Sequence, residues 1–376
     1  MGVWRFLFYA RGVNMGVKTE NKMAYEPVNK LIIQMSAPPL ISMFFQYSYN
    51  LVDSMFVAGI NEQALAAVSL AFPITTLMNA LSVWIGVGVN VLIAGYLGQK
   101  NQQKANSAAA LGVVISVVVG VLINFLSLFI INPYYSAFTQ NKEIFEYGIA
   151  YMSVCVFMQI PNMVHIVIQK ILQATGNMIF PMLSQLFGAI VNIIFDPLLI
   201  FGIGIFPEMG VLGAAIATVF GQFCGMVFCL CILFLKKNEV KVSFKHFKLN
   251  GSTLKSIYVV GFPSVIMQSI GSVMIIGLNA ILAVSEAAVT VLGIYYKLQS
   301  FVFMPCFGLN QGVMPIIGYN YGARKKKRMY SALKRGIIIG VIIMAVGTIL
   351  MWTIPEQLIA MFGGTQDIMD IGVPAF

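Results

Sequence analysis

Asp53 and Asp196 are carboxylic acids set inside long apolar runs, in Tyr49-Asn50-Leu51-Val52-Asp53-Ser54 and Asn192-Ile193-Ile194-Phe195-Asp196-Pro197. Lys297, just after Tyr295-Tyr296, is a basic group in the same kind of setting. An ionisable group in mid-membrane costs about 2.5–3.5 kcal/mol even on the gentler insertion scales, so it persists where something compensates it. Asn192 and Asp196 are four apart and share one helix face. A carboxamide beside a carboxylate offers hard oxygen ligands to a cation, or a hydrogen-bond partner to a proton carrier. The alternative is a polar pair that staples its helix to a neighbour. Pro197 removes a backbone donor and frees the carbonyl four residues earlier. Thr218, at the end of Gly213-Ala214-Ala215-Ile216-Ala217-Thr218, adds a hydroxyl on a small-residue helix. Asp53 reads either as a second carboxylate of the same site or as an acid near the interface, solvated from outside. Two acids in one dry site cannot both stay ionised without a cation or a proton, so the pair is a candidate site for H+ or Na+. That reading requires the first and fifth spans to meet. Lys297 either snorkels to the surface or lies in a cavity, where it attracts anions or takes part in coupling. Gln46, Tyr49 and Gln173 are further candidates for lining a cavity.

The composition dictates the setting. The 376 residues are 59% hydrophobic and 10% charged, with mean hydropathy +0.86. Soluble domains carry about a quarter charged residues, so a soluble multidomain enzyme is excluded and an all-α polytopic membrane protein is expected. The five cysteines all fall in apolar runs and read as packing residues. The two histidines, His165 and His246, lie in different segments, which argues against a histidine metal site. No serine–histidine constellation or phosphate loop appears, so the chain does not read as an enzyme and calls for no cofactor. The net charge of +10 is concentrated in the N-terminal tail, Gly98–Asn106, Lys236–Lys255 and Arg324–Arg328, while the alternate loops hold acids. The positive-inside rule then puts the N-terminus and every second loop in the cytoplasm, with the chain in the inner (plasma) membrane. Lys170 reads as a flank charge on the same side. Arg324–Arg328 reads as an anchor touching anionic lipid rather than a nucleic-acid site.

Spans of about 20 apolar residues are expected near Leu31–Ala58, Leu65–Leu97, Ala108–Ile131, Ile144–Gln169, Phe180–Phe206, Val211–Leu235, Ser256–Val284, Val289–Gly318 and Gly336–Ile354, with a tenth beginning near Ile368. An internal repeat organises them. At an offset of 224, Asn61-Glu62-Gln63-Ala64 answers to Ser285-Glu286-Ala287-Ala288, Gly98 to Gly322 and Gly112 to Gly336. Both copies enter from the same side, so the repeat is parallel, with its axis along the membrane normal. The resulting division is a tail (1–26), a six-helix lobe (27–236), a basic cytoplasmic linker (237–255) and a partial second lobe (256–376) of about three and a half helices. By repeat arithmetic roughly 85–95 residues that would close the second lobe lie beyond the chain, so an inactive fragment is one expectation.

Several strings resemble the MATE (multidrug and toxic compound extrusion) transporters. They are Asn50-Leu51-Val52-Asp53-Ser54-Met55-Phe56-Val57, Leu172-Gln173-Ala174-Thr175-Gly176-Asn177, Asn192 to Gly202, Gly213 to Thr218, Pro305 to Gly312 and Pro315 to Ala323. The resemblance implies two six-helix lobes around a V-shaped cavity. It implies export of organic cations or other amphipathic compounds against inward H+ or Na+. The family's cation site carries over to Asp53, Asn192, Asp196 and Thr218. The expected partners are such small molecules and membrane lipid, with the chain a monomer. Two rival readings stay open: a lipid or lipid-linked oligosaccharide flippase of the same architecture, and a membrane binding protein that transports nothing.

Overall fold

A computed structural model of the chain describes residues 21–236, 238–242, 250–282, 286–360 and 366–375; the side chains of a few helical residues, Lys297 among them, lie outside the described set. The elements are α1 (Val28–Ala58), α2 (Glu62–Gly98), α3 (Gln102–Phe138), α4 (Lys142–Phe157), α5 (Gln159–Ala174), α6 (Ile179–Ile200), α7 (Val211–Leu235), α8 (Gly251–Leu282), α9 (Glu286–Gly322), α10 (Lys326–Thr353), α11 (Pro355–Ala360) and α12 (Gln366–Ala375). No strand occurs among the described residues. Asparagines start three of the helices: the side-chain oxygens of Asn61, Asn101 and Asn141 accept from the backbone N–H of Ala64, Lys104 and Glu143. Each satisfies a donor that the first turn leaves orphaned.

Six of these helices are long and apolar enough to cross a membrane, and α4 with α5 makes a seventh span bent by 46°. The sequence reads that span as continuous. It breaks at Met158, just before Pro161 in the first turn of α5, because proline lacks the N–H that would carry the ladder through. α6 stops six residues short of the expected Phe206, since Gly202 and Gly204 take left-handed conformations (φ 66° and 77°) that end a helix. α1 is long enough to span but is not apolar enough for the same test, and α8, at 32 residues, is also long enough to span. α1 carries Gln46, Asn50 and Asp53, which line a cavity.

The repeat is visible as reciprocal contacts. α2 packs on α8, α9 packs on α1, and α2 crosses α9 between them. A Cβ added to Gly98 would overlap the Tyr319 carbonyl oxygen, and one added to Gly322 would overlap that of Gly95. Gly98 and Gly322 are 224 apart, and so are Gly95 and Tyr319. The two helices also end alike: Asn101 N–H donates to Tyr96 O and Lys325 N–H to Asn320 O, while Lys100 and Arg324 take left-handed φ values of 57° and 56°. This is a Schellman-type end, in which a non-glycine costs roughly 1–2 kcal/mol, and both copies keep it. Further along the seam, Gly88 lies against the Ile257 carbonyl and Gly312 against Met35 and Ser36. Trp84 Nε1 donates to Tyr258 O at 2.8 Å. All these contacts fall in the halves of α1, α2, α8 and α9 nearest the linker. Towards the far ends, Phe44, Phe45, Ile266 and Ile270 are exposed. The lobes are therefore joined on the linker side and parted on the other.

The last residues of the expected free tail are built into that junction. Asn21 Nδ2 donates to Thr175 O of the first lobe (3.0 Å) and to Glu239 Oε2 of the linker (2.7 Å). From the second lobe, Asn320 and Arg328 donate to Met23 O (3.2 and 3.0 Å), Lys325 donates to Ala24 O (3.0 Å), and Arg328 also donates to Glu26 O. Met23 is 0% exposed. Burial pushes the Glu239 carboxyl up, with the Asn21 hydrogen bond pulling it back, and pushes Lys22 down, with Glu26 opposing. Of the basic run, Lys325 and Arg328 hold the chain's own backbone, while Arg324, Lys326 and Lys327 are exposed. Arg328→Met is expected to raise the reactivity of a cysteine placed at Met23 towards an impermeant maleimide about tenfold. The measurement needs a background in which the native cysteines are alanine; unchanged labelling would mean that Arg328 does not hold the segment.

Candidate functional site

A cavity of about 310 Å³ opens inside the first lobe. α1 contributes Gln46, Tyr49, Asn50 and Asp53, α2 contributes Asn79, and α5 contributes Gln159, Asn162, His165 and Gln169. α6 supplies Gln185 and Asn192, and α7 supplies Thr218 and Gln222. Carboxamides dominate this wall, and they brace one another. Gln185 Nε2 donates to Gln46 Oε1 at 2.7 Å, Asn162 Nδ2 to Asn79 Oδ1 at 3.1 Å, and Gln159 Nε2 to Ser82 Oγ at 3.3 Å. His165 Nε2 lies 3.1 Å from Ser184 Oγ and 3.0 Å from Gln169 Nε2. Because an amide both donates and accepts, this wall suits polar cargo groups and water alike.

At one end the sequence-predicted acids come together. Glycines bring α6 onto α7: a Cβ on Gly221 would stand 2.5 Å from Gly188 O, and one on Gly213 2.5 Å from Leu199 O. That approach sets Asn192 facing Thr218. Asn192 Nδ2 donates to Asp196 Oδ1 (3.0 Å) and to Thr218 Oγ1 (3.4 Å). α1 brings Asp53 alongside, and its carboxyl lies within hydrogen-bonding reach of Asp196. Asp196 is 0% exposed, Asn192 is buried, and Asp53 and Thr218 are half-buried. With both its donors committed, Asn192 leaves its oxygen free. Three buried oxygens in this cluster have no hydrogen-bond partner: Asp53 Oδ1, Asn192 Oδ1 and Asp196 Oδ2. A buried acceptor without a donor costs about 1–3 kcal/mol. An oxygen-only set with two carboxylates meets that cost by taking a proton or a hard monovalent cation.

The remaining candidates divide. Gln46 and Tyr49 line the cavity as expected. Gln173 does not: its amide faces Lys170 and Gln311 at the junction of the lobes. The side chain of Lys297 lies outside the described residues. Lys170, read from sequence as a flank charge, is instead 9% exposed and bonded across the junction to Gln311 Oε1 at 2.9 Å. Sequence reading also missed His165 and the carboxamides Asn79, Gln159, Asn162 and Gln169. Asn79 lies on α2, but the other four recur along α5 at spacings of three and four, the signal that would have found that face.

Comparison with known proteins follows the same lines. The MatE family model matches residues 38–198 and 262–374, well over half of the chain. The multidrug export protein MepA of Staphylococcus saprophyticus is 27% identical over 353 residues, covering 93% of this chain and 76% of that protein. A FAD transporter of Shewanella oneidensis is 26% identical over 320 residues, 84% of this chain and 70% of that protein. Among solved structures, the outward-facing conformation of a multidrug resistance MATE family transporter of the MOP superfamily superposes with TM-score 0.88 at 26% identity, over 96% of this chain and 80% of that one. A MOP superfamily transporter from Pyrococcus furiosus, described as having a binding pocket of reverse polarity, superposes with TM-score 0.87 at 26% identity, over 95% and 80%.

Proposed function

The chain belongs to the MatE family of membrane transporters, and on that premise we propose that it is a secondary antiporter that exports amphipathic or cationic small molecules in exchange for inward H+ or Na+. The observation that carries this reading is the convergence of three unpartnered buried oxygens, from Asp53, Asn192 and Asp196, beside the Thr218 hydroxyl. The ion reaches them from the far side, where the lobes are parted, through the carboxamide-lined cavity. Asn192 orients the site by donating to Asp196 and Thr218. Ion binding neutralises the acids and draws α1, which carries Asp53, against α6 and α7. Cargo in the cavity is released as α1 moves, and the lobes then part on the linker side. Coupling follows only if ion and cargo each bind the two states differently. By the positive-inside rule the linker and the N-terminus face the cytoplasm, and the same proposal has the protein a monomer in the plasma membrane. The lobe boundaries of the sequence reading, 27–236 and 256–376 about the linker 237–255, belong to the same proposal.

The test is efflux of fluorescent amphipathic dyes, one cationic and one zwitterionic, from proteoliposomes under separately imposed pH and sodium gradients. Efflux that follows one gradient and collapses with its ionophore is the expected result. Binding of the dyes with no gradient-dependent movement under either ion would overturn the antiport reading in favour of a non-transporting binding protein.

A further inference from the structure

Lys170 is a buried charge at the junction of the lobes that the acid cluster does not use. Its stem crosses α2 at Gly86, where a Cβ would stand 2.8 Å from Lys170 Cγ. Asn90 Nδ2 donates to its backbone carbonyl at 2.9 Å and fixes the turn that carries it. Its ammonium donates to Gln173 Oε1 at 3.0 Å and to Gln311 Oε1 at 2.9 Å. Gln173 Nε2 shares the same Gln311 oxygen at 3.3 Å, and Gln311 Nε2 turns to Met43 Sδ at 3.7 Å. Among the described residues no carboxylate reaches this ammonium. A buried cation held only by neutral amides is a poor way to seal two lobes, because apolar side chains of similar volume pack there at no desolvation cost. The charge therefore has a purpose in another state.

The geometry of that state follows from which lobe each partner rides on. Gln173 sits one turn from Lys170 on α5 and moves with it. Gln311 sits on α9 and leaves when the lobes part on the linker side. Lys170 then stands at the floor of the new opening, short of one acceptor. We propose that Lys170 selects cargo by charge: in the linker-side-open state its ammonium binds an oxyanionic group of an amphipathic molecule, and it disfavours molecules that carry only positive charge. In the state seen here the Gln173 and Gln311 oxygens stand where that oxyanion would be. Among the amphipathic molecules it takes, a zwitterion or anion is thus bound more tightly than a cation of the same shape. This proposal rests on two-lobe transport but not on the acid cluster, so the two can fail separately.

The experiment compares rhodamine B, a zwitterion, with its ethyl ester, a cation on the same ring system. Binding to the purified full chain is read by fluorescence anisotropy. The native chain is expected to favour rhodamine B. The ratio of the two dissociation constants should fall about tenfold in Lys170→Gln, the usual scale of one charge-assisted hydrogen bond, and should hold in Lys170→Arg. Gln311→Glu leaves Lys170 intact but puts a negative charge at the mouth of the opening, where it repels an oxyanion and attracts a cation, so it should weaken rhodamine B selectively. An unchanged ratio in a folded Lys170→Gln chain, or an equal fall in Lys170→Arg, overturns the proposal. If Lys170→Gln does not fold, the Gln311→Glu comparison decides: equal affinity for rhodamine B in the Gln311→Glu and native chains also overturns it. Intact ratios without gradient-driven efflux would sink the antiport reading and leave charge selection standing.

Discussion

Asp196→Asn is expected to cut ion-driven efflux roughly 100-fold, the upper part of the usual range of coupling energies, while the chain still folds. The replacement is nearly isosteric, and its side-chain oxygen still accepts from Asn192 Nδ2, so the fully buried position stays packed. What disappears is the charge. A neutral amide neither carries a proton at ordinary pH nor balances a bound Na+. Asp53→Asn should produce the same loss, because the two acids lie within hydrogen-bonding reach and act as a unit. The double variant should then be scarcely worse than either single one, since residues that share one site are not additive. The measurement is efflux under pH and sodium gradients, with dye binding as the control for folding. Two asparagine variants that pump like the parent would remove the cation site from the mechanism.

The second large effect is expected at the helix crossing. Gly322→Ala and Gly98→Ala each place a methyl group onto a backbone carbonyl, that of Gly95 and of Tyr319. A carbonyl within a helix cannot swing aside as a side chain can, so the helices must separate. Overpacking of this kind costs about 1–3 kcal/mol, enough to move the balance between states by one to two orders of magnitude. On an exposed helix face the same change would be mildly stabilising, by about 1 kcal/mol or less. Gly340→Ala is the control, because its nearest neighbour, Leu309 Cδ2, stands at an ordinary 3.9 Å. Spin labels at the exposed positions Gln103 and Lys327 should report longer distances in Gly98→Ala and Gly322→Ala and an unchanged distance in Gly340→Ala. Equal distances in all three would show that the crossing tolerates the added methyl.

How far the sequence carries can be judged residue by residue. Asn192 and Asp196 were legible because an i, i+4 pair shares a face in any helix, and Asp53 because an acid inside an apolar run demands an explanation. The repeat was legible in its glycines, which survive where two backbones touch. Lys170 was not. A lysine at the end of an apolar run reads as a flank charge, and only the approach of α9 turns it into a buried one. Arg328 misled for the same reason, since its acceptors are carbonyls of Met23 and Glu26, some 300 residues away in the chain. Gln173 was placed in the right neighbourhood but on the wrong side of α5. The break at Met158 had a local cue in Pro161, but Pro38, Pro39 and Pro73 sit inside continuous helices, so proline alone does not locate a bend.

The crossing of α2 and α9 lies close to one tip of each helix. α2 runs from Glu62 to Gly98, so most of it, roughly 50 Å, extends beyond Gly95 as a lever arm. With the fulcrum so far off centre, a tilt of about 5° displaces the distant tip by about 4 Å, on the same rise per residue. On the proposed transport cycle, the opening on the far side would then widen by the thickness of an aromatic ring while the glycine contact hardly stirs, so one rigid pivot would serve molecules of unequal bulk.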